Sequence, residues 1–420
     1  MDNPARAHDI WSMSFDADII IVGGGLNGPA LGLALAGIGL RVTIVDALPT
    51  ATRRSKKFDG RGYALALTSV RMLQTLGIWD GLRDHAQPIL DIKVSDGRPG
   101  EGASPHFLHF DHREIEEGPM GHMIEDRYLR TTLMDAVKAE PKITQINECS
   151  VIEQAVEPGS VVCTLSDGTH LRSRLLVGCD GRRSGVAQRA GIRRSGWEYT
   201  QASIVCAVEH EQPHQGIAHQ LFLPAGPLAI LPLPGNRCSI VWTEDLANAE
   251  NIQALKPADY LAALRPVFGD FLGEIKLTGE RFLYPLGLSL TAGFIAPRVA
   301  LAGDAAHGIH PLAGQGLNLG LRDVAALADV IAEAARRGED IGTMGALKPY
   351  ETWRRFDTAG LAVATDGINR LFSNDNPALR AFRDLGLSAV NSAPGLRRGF
   401  IREAAGLTGD LPRLMQGRAI

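Results

Sequence analysis

The sequence predicts an α/β fold: a parallel βαβ body, an antiparallel sheet inserted into it, and a helical C-terminal part. Three observations predict it. An isoleucine-rich run, a glycine cluster and a small-residue helical pattern open the chain at residues 17–46. Short, turn-punctuated strand patterns fill residues 196–290, and long helical segments run from about 315 to the end.

Taken in order, ADIIIV (17–22) is short and fully apolar, the pattern of a strand buried on both faces. Gly23-Gly24-Gly25-Leu26-Asn27-Gly28 follows, then PALGLALAGIGL as a helix, and RVTIVD (41–46) as a second buried strand ending in Asp46. TSVRMLQTLGIWDGL (68–82) reads as a helix with Arg61 just ahead of it, segments of 91–112 as half-buried strands, and RYLRTTLMDAVKA (127–139) as a helix. Short strands continue to about residue 178, with Asp167-Gly168 marking a hairpin turn. SIVCAVEHE, HQLFLPAGPLAILPLP and CSIVWTE then read as an antiparallel layer with one helical insert at PADYLAALRPVF. The implied division is a discontinuous body of 1–90, 120–195 and 291–345, a sheet domain of 91–119 and 196–290, and a helical region of 346–420.

At 420 residues the chain has ample length for such a core, and 45% hydrophobic with 21% charged residues is ordinary for a soluble globular protein. A net charge of −4 and a pI near 6.3 give no support for nucleic-acid binding. The five cysteines (Cys149, Cys163, Cys179, Cys206, Cys238) contain no C-x-x-C pair, which argues for buried, reduced thiols rather than disulfides, zinc or a dithiol redox centre. No apolar run reaches the 18 or so residues of a membrane span. The polar, mixed-charge N-terminus reads as neither secretory signal nor transit peptide, so the expected location is the cytoplasm.

Gly23-x-Gly25-x-x-Gly28 lies between strand and helix, and Asp46 ends the next strand 18 residues beyond Gly28. The first glycine permits the tight turn, the second a close approach of backbone to a pyrophosphate, and the third close helix–strand packing. The helix N-terminus offers free amides to phosphate, and an acid at Asp46 suits ribose hydroxyls. Asp46 also disfavours the 2′-phosphate of NADP at this site. FAD and NAD both fit the motif.

Three further features choose between them. LVGCDGRRSGV (176–186) is a strand running into Asp180-Gly181; ALAGDAAHGIHPLAGQG begins with a strand running into Gly303-Asp304; and DGRGYALALTSVRML (59–73) carries Arg61. One nucleotide cradle with two more such strand-terminal turns resembles the flavoprotein aromatic hydroxylases related to para-hydroxybenzoate hydroxylase. Asp59 to Leu65 (D-x-R-x-x-A-L), GPLAILPL (226–233), RVALAGDAAHGIHPLAGQGLNLGLRD (298–323) and Tyr350 with Arg354 are similar to the ubiquinone-biosynthesis branch of that family. The resemblance spans nearly the whole chain and implies a Rossmann-like FAD-binding domain with a substrate-side sheet. By it, Gly23, Gly25, Gly28 and Asp46 hold the ADP half of FAD, and Val151 offers backbone to the adenine. Arg61, Asp126 and Arg130 lie along the phosphate and ribityl side, and Asp304 binds the ribityl or pyrophosphate region. The backbone after Pro311, from Gly314 through Gly316 and Leu317 to Asn318, cups the flavin ring. Arg61 and Pro311 are the candidates for a direct catalytic part, and Leu231 and Pro232 for a wall of the substrate site. One departure is visible: where relatives carry an arginine in S-x-V-R, this chain has Ser184-Gly185-Val186-Ala187, which leaves Arg182, Arg183 or Arg189 to substitute in nicotinamide handling.

The stretch 300–331 therefore reads as a flavin cradle, with Gly314, Gly316 and Gly320 keeping side chains away from the ring. His307 and His310 read as structural histidines, since no further ligands at metal spacing accompany them. The expected activity is hydroxylation of the aromatic ring of a hydrophobic, polyprenylated phenol, with NAD(P)H and O2 as co-substrates and a flavin C4a-hydroperoxide as oxygen donor. Rival readings are a hydroxylase of another aromatic or polyketide, another type of flavoenzyme, and a non-catalytic flavin-holding subunit of a ubiquinone-biosynthesis complex. Residues 377–420 carry seven arginines against three acids, with apolar Leu379, Phe382 and Leu385. That pattern suits a helix packed on the body with solvated arginines, or one docked on a membrane surface (peripheral to the inner membrane) or on a partner complex; a homo-oligomer is also compatible with the sequence.

Overall fold

The computed structural model describes residues 14–309, 314–373 and 377–420. Six strands form the central sheet, in the order Ile295–Ala296, Val299–Leu301, Leu175–Gly178, Ile19–Val22, Val42–Asp46, Ile143–Asn147. All neighbours are parallel except the first pair. Ile19, Ile20 and Ile21 are fully buried, which is why this strand reads as a continuous apolar run without alternation. The helix Asn27–Gly37 lies so close to the sheet that a Cβ on Gly32 would stand 3.0 Å from Ile44 Cδ1.

The second sheet has eight strands, in the order His307–Gly308, Ile275–Thr291, Arg194–His210, Arg237–Asp245, Gly226–Leu233, Ile217–Leu223, Asp91–Arg98, Gly102–Asp111. It is antiparallel except where Ile217–Leu223 meets Asp91–Arg98, a parallel junction the sequence reading did not expect. No hairpin joins those two segments, so no turn forces them antiparallel. Strand alternation gives this sheet two apolar faces. Leu228 and Ile230 pack under two helices, Leu246–Ala254 and Pro257–Phe268, where the sequence suggested only one. Leu231 and Leu233 face the other way, into a cluster with Met123, Phe110, Leu387 and Ile401.

A third, three-stranded sheet (Gly62–Ala66, Gly121–Glu125, Ala86–Ile89) lies against that second cluster. Its first strand corrects the sequence reading, which took Arg61 directly into a helix: Gly62–Ala66 is a strand, and the helix is Leu67–Thr75. Gly121 decides the matter, because the strands approach so closely that a Cβ there would lie 2.2 Å from Leu65 O. Long helices Gln315–Arg336, Met344–Phe372, Pro377–Ser392 and Pro394–Ala404 complete the fold.

Candidate cofactor site

The site begins where Ile19–Val22 ends. Gly23 has φ +113°, and a Cβ on it would lie 2.2 Å from Cys179 O. On Gly24 a Cβ would lie 2.3 Å from Asp46 Oδ2, and on Gly28 1.9 Å from Gly23 O. Protein atoms therefore fill the space at three of the four glycines. Gly25 is different: among the described residues nothing lies within 4 Å of its Cβ position. It faces open space at the N-terminus of Asn27–Gly37, where helix amides have no intrahelical partner.

Asp46 is buried and held in a fork by Arg53, with Nε to Oδ2 at 2.7 Å and Nη2 to Oδ1 at 3.1 Å, and it also accepts the Leu48 amide. The sequence reading missed Arg53, which sits in a polar stretch without periodicity. Its segment is fixed in turn by Arg130, whose guanidinium donates to the carbonyls of Thr52, Arg53 and Ser55 and to Asp126. Asp126, at the start of the helix Asp126–Ala139, also accepts from Tyr63 Oη at 3.1 Å and faces Arg61 at 3.4 Å. Arg61 pairs more closely with Asp59, at 2.7 Å. Half-burial works against its charge, but Asp59 and Asp126 outweigh that and raise its pKa. So Arg61, Asp126, Arg130 and Asp46 form one connected polar chain. Val151 begins the strand Val151–Glu157, two residues past the Cys149 amide that bonds Asp46 O.

The second half of the site comes from residues 299–323. Gly303 has φ +64°, and its amide donates to Asp323 at 2.9 Å. Asp304 is half-exposed, with Arg182 Nε 3.5 Å away, while Arg194 donates to the Asp304 backbone carbonyl. A Cβ on Gly303 or Gly320 would stand 2.1 or 2.5 Å from Asn27 Nδ2. Gly320 thus makes room for the Asn27 amide rather than for a flavin ring, a correction to the sequence reading. Asn27 Oδ1 is buried without a hydrogen-bond partner among the described residues.

Gly314 (φ +65°) caps the helix Gln315–Arg336, and its Cβ would lie 3.3 Å from Ala64 Cβ. Among the described residues nothing lies within 4 Å of the Cβ position of the next glycine, Gly316, and Leu317 is partly buried beside it. Asn318 is a clamp: Oδ1 accepts from Ala66 N and Ser69 Oγ, each at 2.8 Å, and Nδ2 donates to Ala64 O at 2.8 Å. Pro311 and His310 lie outside the described residues. Leu231 joins the apolar cluster that includes Ala64 and Met123; Pro232, opposite Cys238, belongs to the other face.

Beneath the loop lies a fully buried ionic network that residue-by-residue reading missed. Asp323 accepts from His307 Nε2 at 2.5 Å, Gly303 N at 2.9 Å and Arg354 Nε at 2.7 Å; Arg354 also meets Asp357 at 2.6 Å. Burial alone would raise the Asp323 carboxyl, but the charges of His307 and Arg354 hold it below the ordinary value. Tyr350 Oη donates to Leu301 O at 2.6 Å. The family-like motif 298–323 and the distant pair Tyr350 and Arg354 are thus one contact set. Four of the cysteines are buried, and burial pushes the thiols of Cys163 and Cys238 up to about 12 and Cys206 to about 11, which leaves them inert.

Comparison with known proteins agrees with this geometry. Residues 16–356 match the family described as FAD binding domain. The chain is 45% identical over 96% of its length, and 93% of the other, to the ubiquinone hydroxylase UbiL of Rhodospirillum rubrum. It is 35% identical to the 3-demethoxyubiquinol 3-hydroxylase of Escherichia coli, covering 93% and 98% of the two chains. The fold superposes on p-nitrophenol 4-monooxygenase PnpA of Pseudomonas putida with a TM-score of 0.77 at 20% identity, covering 94% and 99%. With the cradle and these relatives together, the chain belongs to the FAD-binding domain family and, within it, to the ubiquinone-biosynthesis hydroxylases: it is an FAD-dependent monooxygenase.

Proposed function

We propose that this monooxygenase hydroxylates the aromatic ring of a polyprenylated phenol on the route to ubiquinone, with NAD(P)H and O2 as co-substrates. The observation that carries the proposal is the meeting of an open, glycine-lined cradle with an apolar cluster. No described residue lies within 4 Å of the Cβ positions of Gly25 and Gly316, and Gly314 abuts Ala64, a member of the cluster that also holds Leu231, Met123 and Phe58. The names of the relatives supply the substrate class.

The residues present fit FAD: two helix N-termini beside glycines whose Cβ positions no described residue approaches, and a buried Asn27 Oδ1 without a partner among the described residues. Bound FAD supplies the redox chemistry, accepting electrons from NAD(P)H and activating oxygen. In this reading Gly25 would admit the pyrophosphate at a turn whose close packing Gly23 and Gly28 allow, Asp46 would take ribose hydroxyls, and Val151 would lie by the adenine. Asp126 and Arg130 hold the phosphate side of the cradle through the 52–55 segment, and Asp304 accepts from the ribityl chain. Amides of the first turn after Gly314, from Gly316 and Leu317, would offer hydrogen-bond donors to the edge of the flavin ring that carries negative charge when reduced. Asn318 keeps that turn in place, and Arg61 orients the carboxylates beside it. The apolar cluster excludes water from the reacting ring. Arg182, Arg183, Arg193 and Arg194 line a cleft of about 440 Å³ beside Asp304, suited to the phosphates of a visiting NAD(P)H in place of the missing arginine at Ala187.

Such a phenol resides in lipid, so the protein works at a membrane surface. A lipid-extract mass profile of cells lacking the protein tests the reading. Accumulation of a prenylated phenol short of one hydroxyl is the expected result, and its structure names the ring position. An unchanged quinone profile with no redundant hydroxylase refutes it. Absence of substrate-stimulated NAD(P)H oxidation by the purified protein points instead to a flavin-holding subunit.

A further inference from the structure

We propose that the hairpin of helices Pro377–Ser392 and Pro394–Ala404 is a docking surface for an anionic lipid bilayer, from which the greasy substrate enters. This rests on the reading of the substrate as a prenylated phenol. Three observations converge on the hairpin. The first is exposure: Leu385 is 68% exposed, Leu396 61% and Phe400 49%. Isolated exposed hydrophobics need no explanation, but three on one pair of helices mark an interaction face.

The second is charge. Helix Pro394–Ala404 contains Arg397, Arg398 and Arg402 against one acid, Glu403, whose carboxylate accepts from Thr408 Oγ1. Arg397 is committed to Glu114 at 2.9 Å, while Arg398 and Arg402 are exposed. On Pro394–Ala404, Leu396 and Phe400 stand one turn apart on one flank and Arg398 and Arg402 one turn apart on the other. Gly395 and Gly399 lie between them, with nothing within 4 Å of either Cβ position among the described residues. Such a helix can sink its leucine and phenylalanine into acyl chains while the arginines reach lipid phosphates.

The third is continuity. The inner side of the same hairpin, through Leu387, Val390 and Ile401, belongs to the apolar cluster that contains Leu231, Met123 and Ala64, next to Gly314 of the cradle. Phe400 stacks on Phe110 of that cluster, with centroids 6.5 Å apart. An unbroken apolar layer therefore links the exposed face to the cofactor site. An acidic protein partner would satisfy the arginines but would give this continuity no purpose, so the bilayer is the occupant the surface fits.

Flotation of the full-length, FAD-loaded protein tests the proposal. The vesicles are pure phosphatidylcholine, or phosphatidylcholine with roughly 30% phosphatidylglycerol. Wild type is expected to float with the anionic vesicles about fivefold more than with the neutral ones, and both L396S/F400S and R398E/R402E to lose that gain, with FAD content unchanged. R398E/R402E alters only exposed side chains and decides the matter if the apolar variant misfolds. Equal flotation of wild type and the charge variant overturns the proposal. So does wild-type flotation no greater with anionic vesicles, or a loss of self-association in L396S/F400S with vesicle binding intact, which assigns the face to a second copy. Flotation involves no turnover, so docking and the substrate assignment, read from the lipid profile, can fail separately.

Discussion

Asp323→Asn is the substitution on which the structural argument stands or falls. The carboxylate is fully buried and accepts from Gly303 N, His307 Nε2 and Arg354 Nε. Arg354 is itself fully buried, with Asp357 as its remaining carboxylate and Nη2 already without a partner among the described residues. An amide in place of the carboxylate keeps the shape, but it removes a charge and turns one acceptor into a donor facing a donor. Breaking a buried ion pair from one side costs about 3–5 kcal/mol, because the other charge stays buried and uncompensated. Arg354→Met removes that stranded charge, so the double variant should regain about 1–2 kcal/mol relative to Asp323→Asn alone. Urea unfolding followed by tryptophan fluorescence measures all four corners of the cycle. A single variant within about 1 kcal/mol of wild type, or a strictly additive double variant, would show that the buried Asp323–Arg354 pair does not hold this network together.

The same network sets a pH dependence, because the folded Asp323 carboxyl sits below its ordinary value. Its contribution is complete above the unfolded pKa of about 3.9 and is lost as pH falls through the lower folded value. The stability gap between wild type and Asp323→Asn should narrow below about pH 4, as the folded carboxyl is protonated; a gap unchanged down to about pH 2 would contradict this. At the cradle, Gly25→Ala should leave unfolding unchanged and weaken FAD binding at least about tenfold, whereas Gly28→Ala, with its Cβ 1.9 Å from Gly23 O, should fail to fold stably. Fluorescence titration of apoprotein with FAD and thermal melts separate the two outcomes; identical behaviour would show that Gly25 does not face the cofactor. Asp46→Asn should lower FAD affinity by roughly 1.5–3 kcal/mol, the scale of a hydrogen bond to a charged group, and unchanged affinity would remove Asp46 from the ribose site. Arg183→Glu with Arg193→Glu should raise KM for NAD(P)H about tenfold without changing FAD content, and an unaltered KM would move the nicotinamide elsewhere.

What the sequence made legible was what local sterics and short-range pattern control. A strand–glycine–helix unit with Asp46 in register is a statement about close approach, and the space at Gly23, Gly24 and Gly28 repeats it in ångströms. The strand Gly62–Ala66 was not legible, since a run of small apolar residues suits helix and strand alike until Gly121 brings a partner against it. Arg53 was invisible for a different reason: it gains meaning only because Arg130, far along the chain, pins its segment beside Asp46. Tyr350 and Arg354 entered only through resemblance, and the structure supplies the cause, contacts to Leu301 and Asp323 across more than 30 residues of sequence.

Those long-range contacts explain why the cradle can be ready before a cofactor arrives. Its two halves are separated by nearly 300 residues of chain, and neither half is self-sufficient. Asn27, from the first, occupies the space left by Gly303 and Gly320 in the second. Asn318 bridges Ala64, Ala66 and Ser69, joining the start of the helix Gln315–Arg336 to the sheet that carries Arg61. Asp323, one and a half turns further along the same helix, holds Gly303 from below while Arg354 holds Asp323. One helix therefore positions the turn at Gly303, the amides near Gly316 and the Ala64 strand together, at the cost of burying a carboxylate, a histidine and a guanidinium. Such a network adds little net stability over a well-packed apolar core, but it permits fewer arrangements. A site that must keep water from a reactive flavin gains more from a fixed geometry than from those few kilocalories.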